Sequence, residues 1–317
     1  MTYEFANFYG NKELISSLER ALKHGKTSHA YIITGASGLG KSRLALTFAK
    51  ALLCENSSES GLICGSCSPC KVTESGNHPD IIFVQSDKQI GVDLIREITK
   101  DINVLPYGSR KIIIIDRADT MTVQAQNALL KTLEEPPKYA VILALADNIN
   151  FLPTVLSRCV ALNLRPLTPS QMKAYGADDL YTGHAMGNIG YLKKLLEDEI
   201  FTGLKDFVPD FLIKINTRTL DDIFESYKIL EEHRDYIEEI LDFMTVFLRD
   251  CTIAKENLSS FVFQKSKLNE INLYIKNTTT KALLKRLDII DFTKTALGQN
   301  ANFQLTMELM LLKLRSV

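Results

Sequence analysis

The sequence has no excess of either charge sign: 37 Lys and Arg stand against 38 Asp and Glu, a formal net charge of -1 over 317 residues. A chain that coats nucleic acid by itself carries a basic surplus, so any nucleic-acid contact is expected to be local or shared with other subunits. Long apolar runs are missing too. The longest, Ile112 to Ile115 and Ala140 to Ala146, fall far short of the roughly 20 residues that a membrane-spanning helix needs, so no membrane role is expected. The start, Met1-Thr2-Tyr3-Glu4-Phe5, lacks the basic and then apolar pattern of a secretory signal, and a cytoplasmic location is expected. Internal repeats and low-complexity tracts are absent. Hydrophobic residues at 45% and charged residues at 24% are ordinary for a globular protein, and the length allows two or three domains.

Residues 1 to about 165 alternate short apolar runs with helical spacing. Ala30 to Thr34, Asp80 to Val84, Lys111 to Ile115 and Ala140 to Ala146 read as buried strands. Lys41 to Leu53 and Val123 to Glu134 read as helices, the second stopping before Pro136-Pro137. This alternation predicts an α/β domain with a parallel sheet covered by helices on both faces. From about 166 to 206 a small set of helices with glycine breaks is expected. From 207 to 317 the pattern is helical: Leu220 to Leu230, Tyr236 to Ile253, Leu268 to Ile275, Lys281 to Leu297 and Asn302 to Leu314.

Gly35-Ala36-Ser37-Gly38-Leu39-Gly40-Lys41-Ser42 fits G-x-x-x-x-G-K-[ST] in full and lies between a predicted strand and a predicted helix. Loop N–H groups and a helix N-terminus then surround phosphates, Lys41 reaches the β- and γ-phosphates, and Ser42 ligates Mg²⁺. The competing reading is a glycine-rich turn that matches by chance. Asp116 ends the run Ile112 to Ile115, as an acid that holds Mg²⁺ through water should. Where an active ATPase carries a glutamate to polarise water, this chain has Arg117, which stays protonated and is no base. Asp119 is the other acid nearby, three positions from Asp116.

Cys54, Cys64, Cys67 and Cys70 follow C-x9-C-x2-C-x2-C, with Gly61, Gly65 and Pro69 suited to a tight loop. Four thiolates close a tetrahedral Zn²⁺ shell and leave no open position, so the expected role is structural. A redox pair or unrelated buried thiols are the alternatives. Cys159 and Cys251 read as core residues. Arg158, within Thr154 to Cys159, is placed past the last predicted strand of the α/β domain. Its planar, permanent charge suits a nucleotide transition state, although most arginines simply sit on solvated faces. His29 reads as a structural hydrogen-bonding residue, and His78 as a brace for the loop after the cysteines.

Taken in order, Ser28-His29-Ala30-Tyr31, the phosphate loop, the four-cysteine insert, Asn77-His78-Pro79-Asp80, the stretch Asn127 to Pro137 and Leu156-Ser157-Arg158-Cys159 resemble the clamp-loader branch of the AAA+ ATPases over roughly residues 5 to 200. The motor (gamma/tau) pattern of that branch has three polar elements that this chain lacks. Arg117 replaces a glutamate, Ala146 stands where a threonine ends the strand, and Gly190 stands where the lid carries an arginine. The resemblance is therefore closest to the delta-prime type of bacterial DNA polymerase III.

That resemblance implies a P-loop AAA+ parallel-sheet domain over 1–165 with a zinc module at 54–70, a helical lid over 166–206 and an all-α collar for oligomerisation over 207–317. It implies ATP or ADP with Mg²⁺ held by residues 35 to 42 and Asp116, with weak or no intrinsic hydrolysis, and structural Zn²⁺ on the four cysteines. Arg158 would serve in trans as an arginine finger. Partners would be the gamma/tau motor and delta subunits, with the sliding clamp and primer-template DNA met through the complex. The alternatives are an ATP-hydrolysing motor subunit and a self-sufficient P-loop ATPase.

Overall fold

The computed structural model describes residues 4–57, 62–86, 88–197, 199–215 and 221–317. Gly61, expected in the cysteine loop, and Leu220, the expected start of a helix, lie outside them. The chain divides into two compact units: Met1–Gln171 with Gly187–Gly190, and Met172–Met186 with Tyr191–Val317.

The first unit runs α1 (Lys12–Lys23), β1 (Ala30–Thr34), α2 (Lys41–Leu53), α3 (Ser68–Glu74), β2 (Ile81–Val84), α4 (Val92–Ile102), β3 (Lys111–Ile115), α5 (Val123–Glu134), β4 (Ala140–Ala146), α6 (Pro153–Leu156) and β5 (Val160–Asn163). The five strands form one sheet in the order β2-β3-β4-β1-β5, and every pairing is parallel. Alternate residues of a strand face opposite sides, and the two layers of core follow from this. Tyr31, Ile33, Ile112, Ile114, Leu143 and Leu145 pack with Ile15 and Leu18 of α1 and with Leu44 and Phe48 of α2. Ile32, Ile113, Ile115 and Ile142 pack on the other face with Ile95, Ile98 and Ile102 of α4 and with Leu129 and Leu133 of α5. Each such side chain contributes about 1.5–3 kcal/mol by leaving water.

Local signals place the ends of these elements. The Thr122 hydroxyl accepts from Ala125 N at 3.1 Å and caps α5, which ends two residues before Pro136 because the residue preceding a proline is pushed out of helical geometry. The motif Ser28 to Tyr31 turns out to be a brace, with Ser28 N donating to the Tyr31 hydroxyl at 2.8 Å.

One strand escapes the sequence pattern. β5 has four residues, only Leu162 is buried, and it pairs with β1 alone. An edge strand this short has neither the alternation nor the apolar run that marks its neighbours. Arg158 consequently precedes the last strand of the sheet and does not follow it.

The chain continues through α7 (Pro169–Ala174), α8 (Asp179–Ala185), α9 (Ile189–Glu197), α10 (Glu199–Ile215), α11 (Asp221–Glu232), α12 (Ile237–Lys255), α13 (Leu268–Ile275), α14 (Thr280–Gly298) and α15 (Phe303–Ser316). In the second unit, α12 is central: Ile240, Leu241, Met244, Phe247, Leu248 and Cys251 are all fully buried. It packs against α8, α10, α13 and α14. The position between 206 and 207, where lid and collar are expected to part, falls inside α10. Gly203 does not interrupt that helix, since a lone glycine costs only about 1 kcal/mol relative to alanine there. Among the described residues no helix is long and apolar enough to cross a membrane.

Candidate functional site

Ligands of open parallel sheets lie outside the carboxyl ends of the strands, and here those ends bring together Gly35 after β1, Asp116 after β3 and Asp147 after β4. A cavity of ≈ 560 Å³ opens at this point, lined by Ser37, Gly38, Gly40, Lys41, Ser42, Arg43, Asp116, Arg117, Asp147 and Gly190. The loop that forms one wall depends on its glycines. Gly38 and Gly40 have φ of +80° and +91°, in the left-handed region that side chains disfavour. A Cβ on Gly35 would stand 2.8 Å from the Leu164 carbonyl. Gly40 caps α2 without a side chain, so the helix presents its first N–H groups and its positive dipole end to the cavity.

Lys41 is almost buried, at 9% exposure, and its Nζ donates to Gly35 O at 2.7 Å, Ala36 O at 3.2 Å and Asp147 Oδ1 at 2.5 Å. Asp116 is half-buried and held by its N–H to Val84 O at 2.9 Å. Arg117 is exposed, with φ +50°, and its carbonyl accepts from Thr120 N and Thr120 Oγ1. Asp119, the acid whose orientation the sequence leaves open, turns to the loop after β4: its Oδ2 accepts from Asn148 N at 3.1 Å and its carbonyl from Asn150 Nδ2 at 3.0 Å. It braces that loop and does not line the cavity.

Residues 187–190 close over the phosphate loop. Asn188 Nδ2 donates to Ser37 O at 2.8 Å and Gly190 N to Gly38 O at 2.9 Å. A Cβ on Gly190 would lie 2.9 Å from that same carbonyl. Gly190 is thus packed against loop backbone.

Arg158 sits at the end of α6. Its Nη1 donates to Thr154 O at 2.9 Å and to Ser157 Oγ at 3.3 Å, and its Nη2 to Glu134 Oε1 at 2.8 Å. The guanidinium is about one-third exposed, with 35% of its side-chain surface accessible.

The four clustered cysteines converge as their spacing predicts, with all four Sγ atoms within 4.8 Å of one another. Zn–S bonds of ~2.3 Å place tetrahedral sulfurs roughly 3.8 Å apart, and the donor set fits a structural Zn²⁺. Backbone N–H groups already point at sulfur: Cys64 N donates to Cys54 Sγ and Cys67 N to Cys64 Sγ, each at 3.3 Å. The Cys67 N–H is the main reason that Cys64 falls to about 6, whereas burial drives Cys70 upward. The cluster is tied to the sheet domain through the fully buried Lys50 of α2, which donates to Glu74 Oε1 of α3 at 2.5 Å. Cys251 is a fully buried core residue, as expected, and Cys159 is partly buried against the core.

The stretch Asn77 to Asp80 proves to be a brace. The Asp80 carboxylate accepts from Tyr107 N and Gly108 N, both at 2.8 Å, and His78 Nδ1 accepts from Asp80 N at 3.1 Å. The Nε2 of His29 is buried without a hydrogen-bond partner. Asp147 was not singled out from sequence, yet an acid directly after a buried strand is the signal that marks Asp116.

The profile of the family described as "DNA polymerase III, delta subunit" matches residues 10–168. Among curated relatives, a DNA polymerase III subunit tau/gamma of Haemophilus influenzae is 35% identical over 173 residues, covering 54% of this chain and 25% of its own length. A DNA polymerase III subunit delta' of Pseudomonas aeruginosa is 38% identical over 138 residues, 42% of each chain. A gamma/tau subunit of Mycoplasma genitalium is 26% identical over 99% of this chain and 56% of its own. The chain thus spans from a quarter to about half the length of these relatives. A solved structure of a gamma subunit-related protein of Thermotoga maritima shares the fold, with a TM-score of 0.50 at 20% identity, covering 94% of this chain and 98% of that one.

Proposed function

The chain belongs to the DNA polymerase III delta-subunit family, and from that premise we propose that it is a delta-prime-like subunit of a clamp loader, which helps place the sliding clamp on primed DNA. It works in a cytoplasmic, hetero-oligomeric ring with gamma/tau motor and delta subunits, and it meets clamp and primer-template DNA through that ring. In this reading it holds nucleotide and lends Arg158 to a neighbour without efficient hydrolysis of its own.

The observation that carries this reading is the cavity at Lys41, which has the parts for grasping phosphate and lacks a base. The backbone of residues 35 to 40, Lys41 and Ser42 would hold the phosphates of ATP or ADP, and Ser42 with Asp116 the Mg²⁺. The acid that could have replaced the missing glutamate, Asp119, turns its carboxylate to Asn148 N, and Arg117 lines the cavity instead. The acids in the cavity wall are Asp116, which would hold the Mg²⁺, and Asp147, which is paired with Lys41, so no glutamate stands beside Asp116 to accept the proton of water.

Arg158 is better suited to serve a neighbour. It emerges at the end of α6, away from the residues lining the cavity, with a charge that a second subunit's γ-phosphate would attract. Structural Zn²⁺ on Cys54, Cys64, Cys67 and Cys70 fixes the insert after α2 in this reading. In the second unit, α15 buries Met307, Met310, Leu311 and Leu314 but exposes Leu305, Leu309 and Leu312, spaced i, i+4, i+7 along one face. Such a stripe fits a collar that packs against other subunits.

The deciding experiment reconstitutes the loader with motor and delta subunits and compares wild type with Arg158→Ala. ATP turnover of the assembly is expected to drop about tenfold or more, while the isolated chain hydrolyses little in either form. Unchanged turnover in the complex, or brisk turnover by the chain alone, sinks the reading. The second reading, a gamma/tau-like motor, is favoured by the alignment with the Mycoplasma genitalium subunit over 99% of this chain. It requires hydrolysis that depends on Lys41 and Asp116.

A further inference from the structure

We infer that Asp147 sets the affinity of the nucleotide site: its carboxylate pairs with the Lys41 ammonium and has to be displaced before a nucleoside polyphosphate can bind there. This rests on the nucleotide-binding role proposed above and goes beyond it.

An ammonium group has three N–H donors and no more. Those of Lys41 have three acceptors, Gly35 O at 2.7 Å, Ala36 O at 3.2 Å and Asp147 Oδ1 at 2.5 Å. With 9% of the side chain exposed, Lys41 has no idle donor to offer an incoming phosphate. Two of the acceptors are carbonyls of the phosphate loop itself, and they cannot leave without rebuilding the loop. The third can. Asp147 follows the last residue of β4 and keeps 48% of its side chain in contact with solvent, so its carboxylate can return to water at little cost.

The exchange weakens binding in two ways. A phosphate gains its bond to Lys41 only by breaking an existing ionic one, so the net gain is smaller than at a lysine without a carboxylate partner. The displaced carboxylate also stays in the wall of the same cavity, where it faces Lys41, Arg43, Arg117 and Asp116 and repels the phosphate chain.

The test is titration calorimetry of the full chain with Mg²⁺–ATP for wild type, Asp147→Asn, Asp147→Ser, Asp147→Glu and Lys41→Ala. Both neutral variants are expected to bind about two- to fivefold tighter than wild type, the upper part of the range for releasing one partly exposed ion pair. Asp147→Glu, which keeps the charge, is expected to stay within about twofold of wild type. Adding Lys41→Ala to Asp147→Asn should abolish the gain. Either neutral variant suffices where a thermal melt shows that only one of them folds. Affinity unchanged in the neutral variants, with Lys41→Ala still weakening binding, overturns the role of Asp147 and leaves the nucleotide reading standing. Tighter binding by Asp147→Glu also overturns it, because charge would then not be the cause. Absence of binding by wild type and both neutral variants overturns the inference together with the reading beneath it.

Discussion

The Arg158 guanidinium is paired with the Glu134 carboxylate, Nη2 to Oε1 at 2.8 Å, across 24 residues of sequence. Glu134 ends α5 and Arg158 follows α6, so the pair joins two stretches of the chain that both carry the clamp-loader resemblance. The bond, with those to Thr154 O and Ser157 Oγ, holds the guanidinium against the end of its short helix, and both side chains remain partly in solvent.

That geometry makes Glu134 a positioning residue for Arg158. Glu134→Gln is expected to leave the isolated subunit within about 1 kcal/mol of wild type, as a partly exposed pair should. In the reconstituted loader the same change is expected to lower ATP turnover severalfold by freeing the arginine to wander. Thermal unfolding of the subunit and steady-state ATPase of the complex check the two halves. Turnover equal to wild type would show that the pair serves only the surface.

Restoring the motor-type arginine at position 190 is expected to fail. A Cβ there meets Gly38 O at 2.9 Å, and the Gly190 N–H already serves that carbonyl. Gly190→Arg should cost about 1–3 kcal/mol through overpacking and give no gain in ATP hydrolysis. Melting temperature and single-subunit ATPase measure both; a stable variant with new hydrolysis would show that the loop yields.

The cysteine cluster makes a prediction about metal content. The purified chain is expected to contain one Zn²⁺, and Cys70→Ser or a strong chelator should remove it and loosen the segment around α3. Elemental analysis gives the stoichiometry, and limited proteolysis reads the loosening, since structural zinc contributes folding energy directly. A metal-free chain with the same proteolysis pattern and stability would leave the thiols as core residues.

His184, in the second unit, carries a pH dependence. It is 5% exposed, its ring centroid lies 3.8 Å from that of Phe243 with the planes tilted by 33°, and neither ring nitrogen has a hydrogen-bond partner. Burial, with the Lys294 charge as a lesser cause, pulls it from 6.5 down to about 3. The unfolded chain therefore takes up a proton that the folded chain refuses. The stability from a neutral His184 is complete above pH 6.5 and is lost as the pH falls from there toward 3, at about 1.4 kcal/mol per pH unit. Between pH 6.5 and 4.5 wild type should lose about 2–3 kcal/mol more than His184→Leu. Denaturant titrations at several pH values test this, and parallel curves for the two proteins would refute it.

Much of the first unit is legible in the residues. Four of its five strands stand out as apolar runs, and α5 begins and ends where its threonine cap and its prolines place it. The second unit's helices lie within a few residues of their periodic stretches, because burial of one face imposes a period that sequence records. β5 is not legible, because an exposed edge strand is defined by its partner β1 and not by its own composition. The unpartnered Nε2 of His29 is not legible for a related reason: whether a buried ring nitrogen finds a partner depends on neighbours that no local pattern names.

The sequence by itself determined the chemistry on offer: a loop of glycines ending in lysine and serine, four thiols at closely spaced positions, and an arginine where a base would stand. These follow from local spacing, since a turn or a helix brings near residues together whatever the rest of the chain does. How those groups are occupied is set by the packing of the folded chain. Lys41 meets Asp147 across 106 residues, Gly190 lies on Gly38, and Asp119 turns to Asn148. Each of these depends on which strand ends become neighbours in the sheet and which loops then share the space above them, and long-range packing alone sets that.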